Sequence, residues 1–284
     1  MIEKIYIPTV KRVDNQITYN SLSDSLKKRV VFVVQAWERE QYKYDAEYLV
    51  LPDWLTYKHP HAIAETRSII YQHAKTRKYM MADDDMVIVR RNEKYLGLPS
   101  NMEKAKRVAT SDDIDYLFES AAKILTENAD ACYLGVSAES FAPKPQLITK
   151  LSAIYQIWFI DGSKLYDTFC ENKKLLSSTM HTSDDTLFNV VMATNGKAGW
   201  KMNDFCSRNK SIDKKANIGS VLWDNNKDDE AQQDQRLLAK MYPKYYKIKD
   251  DAKLAYRGLV LKARFEYKKA YDDANASKLD SFLS

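Results

Sequence analysis

Cysteine, glycine and proline are all scarce in this chain of 284 residues, and each shortage excludes something. The three cysteines, Cys132, Cys170 and Cys206, are odd in number, widely spaced and without a C-x-x-C pair. They indicate neither a disulfide framework nor a zinc site, and a reducing, cytoplasmic setting is expected. Seven Gly and seven Pro leave no low-complexity tract or internal repeat. No Walker loop, G-x-G-x-x-G or Ser-His-Asp spacing is present, which leaves P-loop kinase, dinucleotide-binding and hydrolase readings without a foothold. The start of the chain lacks a basic segment followed by a long apolar stretch, and the run from Val30 to Val34 is far too short to span a bilayer, so no membrane partner is expected.

What is present suits one large soluble domain: 45% hydrophobic and 29% charged residues, enough to bury a substantial core. A net charge of +5 says little by itself, but its distribution says more. Between residues 240 and 269, Lys and Arg interleave with Tyr242, Tyr245, Tyr246, Tyr256, Phe265 and Tyr267. That mixture fits a solvated amphipathic helix, or a surface that tracks phosphates and stacks bases.

Hydrophobic continuity predicts strands at 5–7, 30–34 and 48–51, a helix over 62–75 starting just after Pro60, and a strand over 78–82. Runs such as Val30-Val31-Phe32-Val33-Val34 are apolar at every position, which predicts a sheet buried on both faces and mostly parallel. Further on, Thr110 or Ser111 caps a helix to about residue 125, with Ile114, Leu117, Phe118, Ala121 and Leu125 on one face. Strands follow at 132–136, 153–160 and 199–202, with a helix opened by Asp184 and Asp185 and closed at Asn195-Gly196. Asp161-Gly162 reads as a turn. The expected architecture is α/β, a mostly parallel sheet flanked by helices over 1–249, with a basic helical extension over 250–284.

The sharpest feature is Asp83-Asp84-Asp85, between the apolar runs Tyr79-Met80-Met81-Ala82 and Met86-Val87-Ile88-Val89. Three carboxylates delivered at the end of a buried strand repel one another unless a cation compensates them. Mg²⁺ or Mn²⁺ suits such a site, because it takes one or two carboxylates and fills its shell with water and phosphate oxygens. The carboxyl end of a strand in an open α/β sheet is where ligands bind. In extended backbone Asp83 and Asp85 point one way and Asp84 the other. A second acidic pair, Asp184-Asp185, stands at a helix start, where it serves as a general base or as helix capping. His181 lies near that pair as a further metal-ligand candidate, and Trp158 with Asp161 are acceptor-site candidates at a strand end.

The order of these features resembles the GT-A glycosyltransferases, particularly family-2-like enzymes, over roughly residues 5–202. Ile5-Tyr6-Ile7-Pro8-Thr9-Val10-Lys11-Arg12 is similar to the family's opening strand and nucleotide loop, Glu65-Thr66-Arg67-Ser68 to its arginine-bearing helix, and Tyr79 to Asp85 to its DxD segment. The resemblance implies that Pro8, Thr9, Arg12, Gln35, Arg67, Asp83 and Asp84 line the site of a nucleotide-diphosphate sugar, a UDP-sugar first among them. It implies Asp85 and Asp83, with His181, as metal ligands, and Asp185 before Asp184 as the base of an inverting transfer. Gln35 stands where the family often has an acid. The segments Ile7-Pro8-Thr9, Arg12-Val13-Asp14-Asn15-Gln16 and Val33-Val34-Gln35 also resemble the phage-type members associated with TET/JBP oxygenases. That likeness implies a 5-hydroxymethylpyrimidine in DNA as acceptor, and the host cytoplasm as location. The chemistry of paired carboxylates and a divalent cation equally fits a nucleotidyltransferase, and the basic carboxyl terminus a noncatalytic DNA-binding protein.

Overall fold

The computed structural model describes residues 1–93, 96–97, 106–139, 144–209, 227–250 and 261–283. Four apolar segments form parallel neighbours: β1 (Lys4–Pro8), β2 (Val30–Val34), β3 (Glu47–Val50) and β4 (Lys78–Ala82), in the order β3-β2-β1-β4. The sheet continues through β5 (Met86–Arg91), β6 (Lys106–Val108), β7 (Ala131–Ala138), β8 (Ile148–Thr149), β9 (Ile157–Asp161) and β10 (Ala198–Asn209). Its full order is β3-β2-β1-β4-β9-β7-β10-β5-β6, with β8 paired to β10. β7 and β10 are parallel to each other, whereas β9 runs antiparallel to both β4 and β7, and β5 antiparallel to β10. The sheet is therefore mixed, although most of its strands point one way. All five residues of β9 are buried, so an apolar run reports burial on two faces and not strand direction.

Alternation along the strands divides the core between two helical layers. Ile5, Ile7, Phe32, Val34, Met80 and Ala82 face α4 (Ser111–Glu127), whose five apolar positions are buried as the spacing predicts and whose start is closed by a Thr110–Asp113 capping box. Tyr6, Val31, Val33, Tyr79 and Met81 face the other layer. That layer contains α3 (Ala62–Ala74), α5 (Gly162–Glu171), α6 (Lys173–Ser178) and α7 (Asp184–Thr194). The short helices α1 (Ile17–Ser21) and α2 (Asp24–Lys27) follow β1.

At Asp161-Gly162 the chain passes from β9 straight into α5 and makes no hairpin. The Gly162 amide donates to the Arg77 carbonyl at 2.9 Å, and a Cβ there would lie 1.9 Å from the Lys75 carbonyl oxygen. The glycine serves this close approach. At the end of α7, Gly196 takes φ +70°, the left-handed stop that Asn195-Gly196 predicts.

Carboxyl-terminal to the sheet come α8 (Lys227–Met241), a hairpin of β11 (Tyr246–Asp250) with β12 (Leu261–Phe265), and α9 (Tyr267–Leu283). The expected boundary at 249 falls inside β11, and the helical extension is α9, preceded by the hairpin. Leu238 and Tyr246 belong to the same apolar cluster as α3 and α7, and Tyr267 and Ala270 pack on Ala193. Tyr246 and Tyr267 are thus core side chains, and Tyr242, Tyr245 and Phe265 are half-buried. They do not form the exposed stacking face that the sequence allowed, while Tyr256 lies outside the described residues. Lys247, Lys249 and Arg264 keep the hairpin's exposed face basic. Among the described residues, no helix is long and apolar enough to cross a membrane.

Candidate active site

The site is assembled where β1, β2 and β4 end. Asp83 to Asp85 leave β4 in a turn before β5, so the strict alternation expected of extended backbone does not hold. Thr18 sets that turn: its hydroxyl donates to the Asp83 carbonyl at 2.5 Å and accepts from the Met86 amide at 2.9 Å, and its own amide donates to the Asp84 carbonyl at 3.0 Å. As a result Asp84 and Asp85 both meet Arg12, and Asp83 alone turns toward α3.

The loop after β1 supplies the partners of Asp84. Thr9 donates its hydroxyl to Oδ2 at 2.6 Å, and the Arg12 guanidinium pairs with Oδ1. Gln16 braces the loop by donating Nε2 to the Thr9 hydroxyl and to the Arg12 carbonyl, each at 2.8 Å. Burial pushes the Asp84 carboxyl up to about 7, against the pull of Arg12 and of the Thr9 hydroxyl. Arg12 also reaches Asp85 Oδ2 at 3.2 Å, while Oδ1 of Asp85 is buried without a hydrogen-bond partner. An orphaned buried carboxylate oxygen is costly and marks where a cationic or hydrogen-bonding ligand belongs.

Arg67, on the inner face of α3, joins the two acidic clusters. It donates to Asp184 Oδ2 at 2.6 Å and to Asp83 Oδ1 at 3.3 Å, with its guanidinium 4.5 Å from the ring centre of Trp158. Burial works against its charge, but Asp184 and then Asp83 raise its pKa and hold it protonated. Asp184 is thereby committed to an ion pair. Asp185 is not: its Oδ1 accepts from the Thr186 amide at 2.6 Å, and no cation is paired with it among the described residues. Burial, and then the charge of Asp184, push the Asp185 carboxyl up to about 7. Tyr155 and Tyr246 stand in its field, each with a phenol raised first by burial and then by the Asp185 charge.

At the same rim Pro8 ends β1, Thr9 keeps its amide on the Val33 carbonyl at 3.0 Å, and Gln35 is buried at the end of β2. Trp158 is 1% exposed and donates its indole N–H to the Ile154 carbonyl, so it underlies Arg67 and presents no surface to an acceptor. Asp161 pairs in register with Lys78, at the end of β4 opposite the aspartates, and caps α5 through Ser163. The structure does not bring it to the aspartates. The His181 ring stacks on His61 at 4.8 Å and bonds the Pro60 carbonyl at 3.3 Å, so the structure does not bring it to Asp83 or Asp85.

Sequence reasoning passed over Glu38, which is 1% exposed. Its Oε2 accepts from the amide of Lys11, a residue held at φ +57°, and its Oε1 is buried without a partner. Burial raises its pKa. A lone acid in a polar stretch after β2 carries no periodic signal, although its nearness to that strand's end is a positional one.

Among the described residues, no group of three or more His, Cys, Asp or Glu side chains forms a ready metal shell. A cation here would take Asp85 Oδ1, with Asp83 beside it, and draw its remaining ligands from water and phosphate, which fits Mg²⁺ or Mn²⁺ better than a metal that needs a protein cage.

An α/β sheet with carboxylates at the carboxyl end of β4 and an arginine-bearing loop after β1 is consistent with a GT-A-like fold. The chain belongs to the TET-associated glycosyltransferase family, whose model matches residues 3–218. It is therefore an enzyme that transfers sugar, and the nucleotidyltransferase and noncatalytic readings give way. No curated protein matches the chain.

Proposed function

We propose that the protein is a metal-dependent transferase that moves a hexosyl or pentosyl group from a nucleotide-diphosphate sugar, a UDP-sugar first, to the hydroxyl of a 5-hydroxymethylpyrimidine in DNA. The observation that carries this reading is the contrast between Asp85, with one buried oxygen lacking a hydrogen-bond partner, and Asp185, without an ion-pair partner among the described residues and pushed up to about 7. In this reading Thr9, Arg12, Gln35 and Glu38 bind the nucleoside and phosphates. Asp83 and Asp85 hold Mn²⁺ or Mg²⁺, which when bound neutralises the diphosphate leaving group.

Asp185 accepts the proton of the acceptor hydroxyl as that oxygen bonds to the anomeric carbon and the bond from that carbon to the diphosphate breaks. Asp184, pinned by Arg67, stands beside it, and its charge raises the Asp185 carboxyl. Arg67 keeps the donor and acceptor clusters in fixed register. A base in a duplex reaches the rim by extrusion, and the basic outer face of the β11–β12 hairpin supplies phosphate contacts. A reducing cytoplasm suits the three free cysteines.

The test is to incubate the protein with a panel of nucleotide sugars and Mn²⁺, with and without hydroxymethylated DNA, and to follow product mass. A gain of one hexose or pentose on the DNA is expected. Transfer to another hydroxyl acceptor with none to DNA would overturn the acceptor assignment, and full turnover in chelator would overturn the metal.

A further inference from the structure

Beyond the end of the family match, α8 sends one carboxylate back into the site. Asp234 is 1% exposed, and its two oxygens gather three successive backbone amides: His181 at 3.1 and 3.2 Å, Thr182 at 2.8 Å and Ser183 at 2.9 Å. The Thr182 hydroxyl adds a fourth donor at 3.3 Å. Next to it, Gln235 donates Nε2 to the Ser183 hydroxyl at 3.1 Å and accepts from the Tyr246 phenol of β11. Residues 181–183 lead directly into Asp184 and Asp185, and Ser183, the residue before α7, makes no side-chain cap of its own. The amides ahead of α7 therefore find their acceptor 51 to 53 residues away in sequence.

We propose that Asp234 is a positioning residue for sugar transfer: by holding the 181–183 backbone it fixes the direction in which Asp185 leaves the helix start. This rests on the reading of Asp185 as the base. A carboxylate that accepts from three successive amides restrains that segment, whereas a neutral or shortened side chain frees it to turn. The hydrogen bonds of Asp234 go to the 181–183 segment, and Asp84 is held by Thr9 and Arg12 of the loop after β1, so the two halves of the reaction separate in kinetics.

The experiment compares Asp234→Ala, Asp234→Asn and Asp185→Asn in the full chain, reading kcat, donor KM and Tm. Misplacing a reacting group by about 1 Å costs on the order of 100-fold in rate. Asp234→Ala is expected to lower kcat by about that factor with donor KM unchanged, and Asp234→Asn, which keeps one carbonyl acceptor, to recover part of the loss. Wild-type kcat in folded Asp234→Ala overturns the proposal, as does a donor KM that rises in step with the fall in kcat. If the alanine variant does not fold, the asparagine variant decides by the same two readings. Asp185→Asn separates the levels: wild-type kcat there refutes the base, whereas loss there with none in Asp234→Ala refutes the positioning role alone.

Discussion

The two acidic clusters are built from one residue type at one rim of the sheet, yet they are held differently. Asp83 to Asp85 meet donors from the loop after β1 and from α3: Arg12 meets two of them, Thr9 one, and Arg67 of α3 the third. At the helix start Arg67 takes Asp184, and among the described residues Asp185 keeps the amide and hydroxyl of Thr186 as its hydrogen-bond donors. Arg12 and Thr9 hold Asp84 while Asp185 has no ion-pair partner among the described residues, yet burial pushes both carboxyls up to about 7, so what separates the two is the partner each has and not the direction of its shift.

That contrast can be broken from either side. Asp85→Ala should have the largest effect, a loss of about 10³-fold in turnover with circular dichroism unchanged, because it removes the oxygen left open for the cation. Asp185→Asn should cost about 10²-fold in kcat while nucleotide binding, read by thermal shift, is kept. The wild-type kcat should rise with pH through about 7, since Asp185 accepts a proton only when ionised, and that limb should vanish from the residual activity of Asp185→Asn. Removing the shared arginine sharpens the comparison. Arg67→Met should destabilise the fold by about 3 to 5 kcal/mol in urea titration, because Asp184 loses its buried partner. The smallest effect belongs to Asp161→Ala, about 1 kcal/mol for a lost helix cap, with kcat unchanged; a large kcat loss there would restore Asp161 to the acceptor site.

Much of the frame was legible in local pattern. The apolar stripe of α4, the stop at Asn195-Gly196 and the strand that ends at Asp83 each depend on residues close in sequence, and each is found where the spacing puts it. What escaped depends on distant pairing. Nothing within Ile157–Asp161 says that it runs antiparallel beside β4, and that direction is what sends Asp161 to the far end. The facing of Asp83, Asp84 and Asp85 escaped because Thr18, far upstream, bends the chain between them. The placement of the aspartates, Arg12 and Arg67 at one rim was readable; Glu38 and Asp234 were not, since each acts through a backbone amide and leaves no motif.

The hydroxyl of Tyr267 carries a consequence for the order in which the molecule is completed. It accepts from the Gly199 amide at 2.8 Å, donates to the Lys197 carbonyl at 3.1 Å and lies 2.7 Å from the Tyr133 hydroxyl, so one side chain of the last helix satisfies groups of β7 and of the turn into β10. Those groups leave the ribosome before their partner, which lies 68 positions after Gly199. Until α9 is made, the Gly199 amide and the Lys197 carbonyl lack this partner, while the Tyr133 hydroxyl keeps only its bond to Asn189 Oδ1 among the described residues. Nascent chains halted before and after Tyr267 should differ in protease resistance at β7 and β10, the shorter ones being cut.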